Sequence, residues 1–78
     1  MYLTTRFFYP HGIDGESMEC TIKKFEEWEK AIKYAHRYAK GLRFAGLQIE
    51  DEDARLLYEI TSDFNVYDYR WNVVFNQS

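Results

Sequence analysis

The sequence contains very little cysteine, proline or glycine. Cys20 is its only cysteine, Pro10 is its only proline, and four glycines occur among 78 residues. A single thiol excludes an intrachain disulfide framework and a cysteine-based zinc site. Small secreted domains usually depend on disulfides, so the sequence predicts a cytoplasmic protein.

Targeting signals, long apolar runs and catalytic motifs are also missing from the sequence. The segment 1–6 has no charged region followed by an apolar one, so we expect no signal peptide. No apolar run approaches the roughly 20 residues that span a membrane. There is no Gly-rich phosphate loop before a helix and no nucleophile elbow. We therefore expect no cofactor, no metal, no membrane association and no enzyme activity.

Aromatic residues are abundant instead, at 19% of the chain. A chain of 78 residues has room for one domain, and it buries only about 60% of its unfolded surface. Large rings supply much buried area per residue, which helps a short chain to build a core. The same rings can also form an adhesive surface.

The net charge of −3 is unevenly distributed along the sequence. Residues 23–43 carry seven basic and three acidic side chains, whereas residues 44–78 carry seven acidic and two basic ones. A basic helix set against acidic strands and loops argues against a simple nucleic-acid binder and leaves the choice of partner open.

Hydrophobic periodicity predicts the element order ββαβββ. Residues 2–9 and the alternation at Met18, Cys20 and Ile22 predict a hairpin. A helix is expected from about Lys24 to Lys40, because its apolar residues share one face. Three further strands are expected at residues 45–49, 56–61 and 66–75.

An antiparallel sheet of four or five strands with the helix packed on one face satisfies this pattern in a single α+β domain, residues 1–78. The residues expected in its core are Trp28, Ile32, Ala35, Leu47, Ile49, Leu56, Tyr58 and Ile60.

Two segments are candidate partner-binding sites. The acidic tip Glu50, Asp51, Glu52 and Asp53 could engage a basic partner, or it could be a solvated hairpin tip. It lacks the glycine and distal glutamate of an EF-hand loop, so it does not predict a calcium site. The rings Tyr67, Tyr69 and Trp71 could anchor a protein interface, stack on nucleic acid, or pack against Trp28 and Tyr38.

The helix and the histidines give weaker signals. Lys30, Lys33, Arg37 and Lys40 could meet phosphates, although Glu26 and Glu29 favour a salt-bridged solvent face. His11 with Asp14, and His36 on the helix flank, lack the spacing of a metal or acid–base site.

In size, acidity, aromatic content and element order, the chain resembles the small inhibitor proteins of phages and other mobile elements, of which anti-CRISPR proteins are an example. The resemblance implies a non-enzymatic inhibitor that binds a protein or ribonucleoprotein complex. The basic helix departs from a pure DNA mimic. A nucleic-acid-binding module and a homo-oligomer remain alternative hypotheses.

Overall fold

The computed structural model describes residues 1–12 and 17–70 and has the α+β architecture that the sequence predicts. One helix lies on a five-stranded antiparallel sheet with the strand order β2-β1-β3-β4-β5. The elements are β1 (Tyr2–Phe8), β2 (Glu19–Phe25), α1 (Trp28–Tyr38), β3 (Phe44–Glu50), β4 (Leu56–Ile60) and β5 (Val66–Asp68). In the described part of the chain, no helix is long and apolar enough to cross a membrane.

The helix is shorter than predicted. It begins at Trp28 instead of Lys24 and ends at Tyr38 instead of Lys40. Lys24 and Phe25 belong to β2, and the extended backbone at Glu27 (φ −109°, ψ 136°) separates strand from helix. The apolar stripe misplaces the helix start because Phe25 also faces the helix, although it does so from a strand.

The core lies between α1 and one face of the sheet. Its buried apolar residues are Ala31, Ala35, Phe44, Leu47, Ile49, Tyr58 and Ile60. Five of these were predicted from the sequence, and the predicted Trp28 and Ile32 are half-buried against this cluster.

Leu56 is a wrong prediction, because it is only partly buried and lies outside the core cluster. Tyr58 pairs with Ile49, but Leu56 pairs with Glu50, so the register shifts by one residue between them. A one-residue shift moves a side chain to the other face of the sheet.

The alternation of Met18, Cys20 and Ile22 also predicts that these three residues form the buried side of a half-buried strand, which is wrong because all three are exposed. The alternation is real, but the helix covers the other face of β2. The last strand ends at Asp68, where the sequence predicted a strand to residue 75. Trp71 and the residues after it lie outside the described residues.

Candidate binding surfaces

One sheet face, which we call the open face, is covered by no helix or strand of the described chain. Alternate residues of β1 face α1, since Thr4 is fully buried and the Tyr2 ring lies 5.2 Å from the Trp28 ring. The intervening residues and their partners form the open face. One row crosses all five strands through consecutive pairs: Ile22 with Thr5, Thr5 with Gln48, Gln48 with Glu59, and Glu59 with Tyr67.

The open face contains a shallow, largely apolar depression, whereas its neighbouring row, Lys24, Leu3 and Glu50, carries two charges. Gly46 has no side chain to fill the space between Phe7, Met18 and Glu59, which line this depression. Met18 and Ile22 are 54% and 58% exposed beside it. Apolar surface with few charges is typical of the centre of a protein–protein interface.

Tyr67 and Tyr69 stack on each other at the β5 end of the open face. Their ring centroids are 6.3 Å apart with an interplanar angle of 17°. The Tyr69 hydroxyl donates a hydrogen bond to Glu59 Oε1 at 3.0 Å, and this bond is the main reason that the pKa of Tyr69 is raised. Tyr67 is 46% exposed, and the ring on which it stacks, Tyr69, is held in place by its hydrogen bond to Glu59.

The alternative that these rings pack against the helix is wrong for Tyr67 and Tyr69. Arg70 does so instead, with its guanidinium carbon 4.0 Å from the centroid of the Trp28 ring. Arg70 therefore lies on the face opposite the two tyrosines.

The acidic tip closes the β3–β4 hairpin, and two of its carboxylates have structural partners. Asp51 Oδ1 accepts hydrogen bonds from the backbone N–H groups of Asp53 and Arg55, both at 2.9 Å. Glu52 Oε1 lies 3.0 Å from the amino group of Met1. Asp51 therefore shapes the turn, whereas Glu52 and Asp53 are exposed. Tyr69 lies beside the same hairpin, since its N–H donates to the carbonyl of Leu57.

A second surface, the basic cleft, lies between β2 and α1. It is a shallow cleft of about 280 Å³, lined by Lys23, Phe25, Lys30, Lys33, Tyr34, Arg37 and Tyr38. Lys30 pairs with Glu27 at 3.1 Å, while the other three cations have no ion pair to a described carboxylate. The Lys23 ammonium lies 5.5 and 5.6 Å from the ring centroids of Phe25 and Tyr34.

The histidines show no convergence in the described residues. His36 Nε2 lies 2.6 Å from the hydroxyl of Tyr58, whose pKa is raised by burial and secondarily by Asp68. His11 is exposed, and Asp14 lies outside the described residues. Within residues 1–12 and 17–70, no three His, Cys, Asp or Glu side chains are grouped closely enough to hold a metal.

Sequence reasoning missed two features of these surfaces. It did not include Lys23 with the helix cations, because it assigned that residue to the second strand and did not predict that this strand lies beside the helix. It also did not predict which face of the β1–β2 hairpin packs against the helix and which face is left uncovered. The five-strand row follows from the strand order, which no local pattern specifies.

Compared with protein-family models, with curated proteins and with solved structures, the chain gives no match in any of the three.

Proposed function

We propose that the protein is a non-enzymatic binding protein that engages another protein through its open face. The observation that carries the proposal is the row from Ile22 to Tyr67, which has exposed apolar side chains at both ends and one charge, Glu59. Glu59 is itself hydrogen-bonded to Tyr69. A surface that holds an aromatic ring in place and has little charge to desolvate favours a protein partner.

The acidic tip contributes in a different way. Glu52 and Asp53 are exposed at the end of the hairpin whose strand β4 also carries Glu59. Exposed carboxylates increase the rate of encounter with a basic partner, whereas desolvated rings slow dissociation. This division favours a partner with a basic rim around an apolar patch.

The resemblance to mobile-element inhibitors suggests a biological role for such binding. The protein would bind a protein or ribonucleoprotein defence complex and block its activity without catalysis. Expression in a cell whose CRISPR system blocks a phage should then restore plaque formation. If plaques are restored with none of the CRISPR types tested, the inhibitor role is contradicted. The binding proposal is tested separately by the capture experiment.

Capture from a lysate of the cells that naturally contain the protein tests the binding proposal. Immobilised full-length protein is compared with Tyr67→Ala, and with Leu42→Ala as a matched control. Leu42 is 90% exposed and lies in the turn after α1, away from the open face. We expect Tyr67→Ala to reduce capture of a specific protein by about tenfold or more.

Two results would contradict the proposal. Equal loss of capture with Leu42→Ala would mean nonspecific apolar adhesion. Unchanged capture with Tyr67→Ala would mean that the open face is not the contact surface.

The basic cleft supports nucleic-acid binding as a second candidate function. The specific observation is that β2 adds Lys23 to the helix cations Lys33 and Arg37, next to three aromatic rings. Cations that meet phosphates beside rings that stack on bases are typical of single-strand binding. Two of these rings, Phe25 and Tyr34, lie beside the Lys23 ammonium.

Electrophoretic mobility with single-stranded and duplex oligonucleotides at two salt concentrations tests this second candidate. Binding that falls steeply with salt and is lost in Lys33→Glu, but kept in the exposed control Lys24→Glu, would support it. Lys24 is on the open face and lies outside the cleft. Absence of binding at the lower salt concentration would contradict nucleic-acid binding by the basic cleft.

A further inference from the structure

Strand β2 forms an edge of the sheet, and no described strand pairs with its outer side. It is seven residues long, and its first six residues are exposed. A long exposed edge presents unpaired backbone N–H and C=O groups that can pair with another chain.

We propose that two copies of the protein pair through β2, antiparallel about a two-fold axis at Thr21, to form a continuous ten-stranded sheet. A two-fold axis perpendicular to the sheet relates adjacent antiparallel strands and makes the interface self-complementary. Both helices then lie on the same side, and the two open faces join on the other. This inference goes beyond the proposed function and does not depend on it.

The charges of β2 select this register. With Thr21 opposite the Thr21 of the second copy, Glu19 lies opposite Lys23 and Cys20 lies opposite Ile22, and symmetry repeats both pairs. Glu19 and Lys23 are on the helix side, since their β1 partners are Phe8 and Thr4. Opposite charges directly across an antiparallel pair stabilise it.

The neighbouring symmetric registers lose this complementarity. Centring on Ile22 places Lys23 opposite Thr21 and Lys24 opposite Cys20, so no ion pair forms. Centring on Lys23 places two lysines against each other, and centring on Cys20 places Glu19 opposite Thr21. Lysines on an edge usually discourage pairing. The Thr21 register instead gives Lys23 a carboxylate partner.

The dimer would bring the two basic clefts into proximity. Each copy contributes β1 and β2 to the junction, so the two β1 strands would be three strand spacings apart, roughly 14 Å. The helices packed over them would flank a trough that contains Lys23 and Arg37 from both copies.

Sedimentation over a wide concentration range tests the dimer with a charge swap. Glu19→Lys and Lys23→Glu should each weaken dimerisation by about tenfold or more, because each turns two attractive pairs into two repulsive ones. The double variant should restore the dimer, and an equimolar mixture of the two single variants should form a heterodimer. Lys24→Glu, which lies opposite Met18 in this register, is the matched control and should dimerise as the parent does.

A wild-type protein that stays monomeric at all concentrations overturns the proposal. It is also overturned if the mixed single variants fail to form a heterodimer.

A cross-link gives a second test that does not depend on charge. In a Cys20→Ser background, Thr21→Cys places two thiols opposite each other at the axis, where the Cα separation of about 4.5–5.5 Å permits a disulfide. We expect a disulfide-linked dimer under mild oxidation and none for Lys24→Cys in the same background. Equal cross-linking of both variants would indicate random collision and would overturn the register.

Discussion

The hydroxyl of Tyr58 lies 2.6 Å from Nε2 of His36, so this hydrogen bond joins β4 to the exposed side of α1. Tyr58 is 7% exposed and its ring also contacts Trp28 edge-on, with centroids 6.0 Å apart. One tyrosine therefore connects the sheet to the helix through both a polar and an aromatic contact.

Tyr58→Phe should flatten the loss of stability at high pH. The folded-state pKa of Tyr58 is raised above its ordinary value of 10.0, chiefly by burial. Above pH 10.0, the ordinary pKa of tyrosine, the unfolded chain releases the phenol proton of Tyr58 while the folded chain still retains it. The free energy of unfolding therefore falls as pH rises. Urea unfolding between pH 8 and 11 should show a smaller slope for the variant than for the parent; identical slopes would contradict the assignment.

Trp28→Ala should destabilise the protein by about 3 kcal/mol, near the lower end for a large aromatic residue because Trp28 is only half-buried. The substitution removes contacts with Tyr2, Tyr58 and Arg70. Trp28→Phe is the matched control and should lose much less. Both are measured by urea unfolding, and parent-like stability of Trp28→Ala would contradict the helix-on-sheet packing.

Asp51→Ala should cost about 1 kcal/mol, because it removes the acceptor of two backbone hydrogen bonds in the β3–β4 turn. Asp53→Ala, which changes a neighbouring exposed carboxylate, should be within about 0.5 kcal/mol of the parent. Equal effects of the two substitutions would show that Asp51 is merely part of a solvated tip. The comparison requires only thermal or urea unfolding.

Ala54→Gly should stabilise the protein by about 0.5–1 kcal/mol. Ala54 has φ +62°, in the left-handed region where a side chain is strained and glycine is not. Ala45→Gly is the control, since a glycine within β3 should destabilise. A loss of stability at Ala54 would mean that the greater freedom of glycine in the unfolded chain outweighs the relief of strain.

Local patterns predicted much of the fold, but they did not predict which face of the sheet the helix covers. Alternation found the strands, and the apolar stripe found the helix, because each element repeats with its own period. Both faces of β1 carry rings, Tyr2 and Phe8 on one and Phe7 on the other, so the sequence did not identify the face that the helix covers. Phe25 fits both a strand and a helix, which moved the predicted helix start.

The candidate site was predictable only in part, for the same reason. Tyr67 and Tyr69 were candidate anchors because tyrosine is enriched at protein contacts, but their stacking and the hydrogen bond to Glu59 depend on the pairing of β5 with β4. The role of Asp51 in the turn was not predicted, since a run of carboxylates gives no indication of which one the backbone uses. Lys23 joined the basic cleft only when β2 was placed beside α1.

Hydroxyl-radical footprinting of the protein, alone and bound to the partner isolated by capture, is the decisive test of binding through the open face. It reads the accessibility of individual side chains on both faces of the sheet. We predict that Tyr67 and Met18 become protected in the complex, while Tyr34 in the basic cleft is labelled as in the free protein. Protection of Tyr34 with unchanged labelling of Tyr67 and Met18 would contradict the claim that the open face is the binding surface.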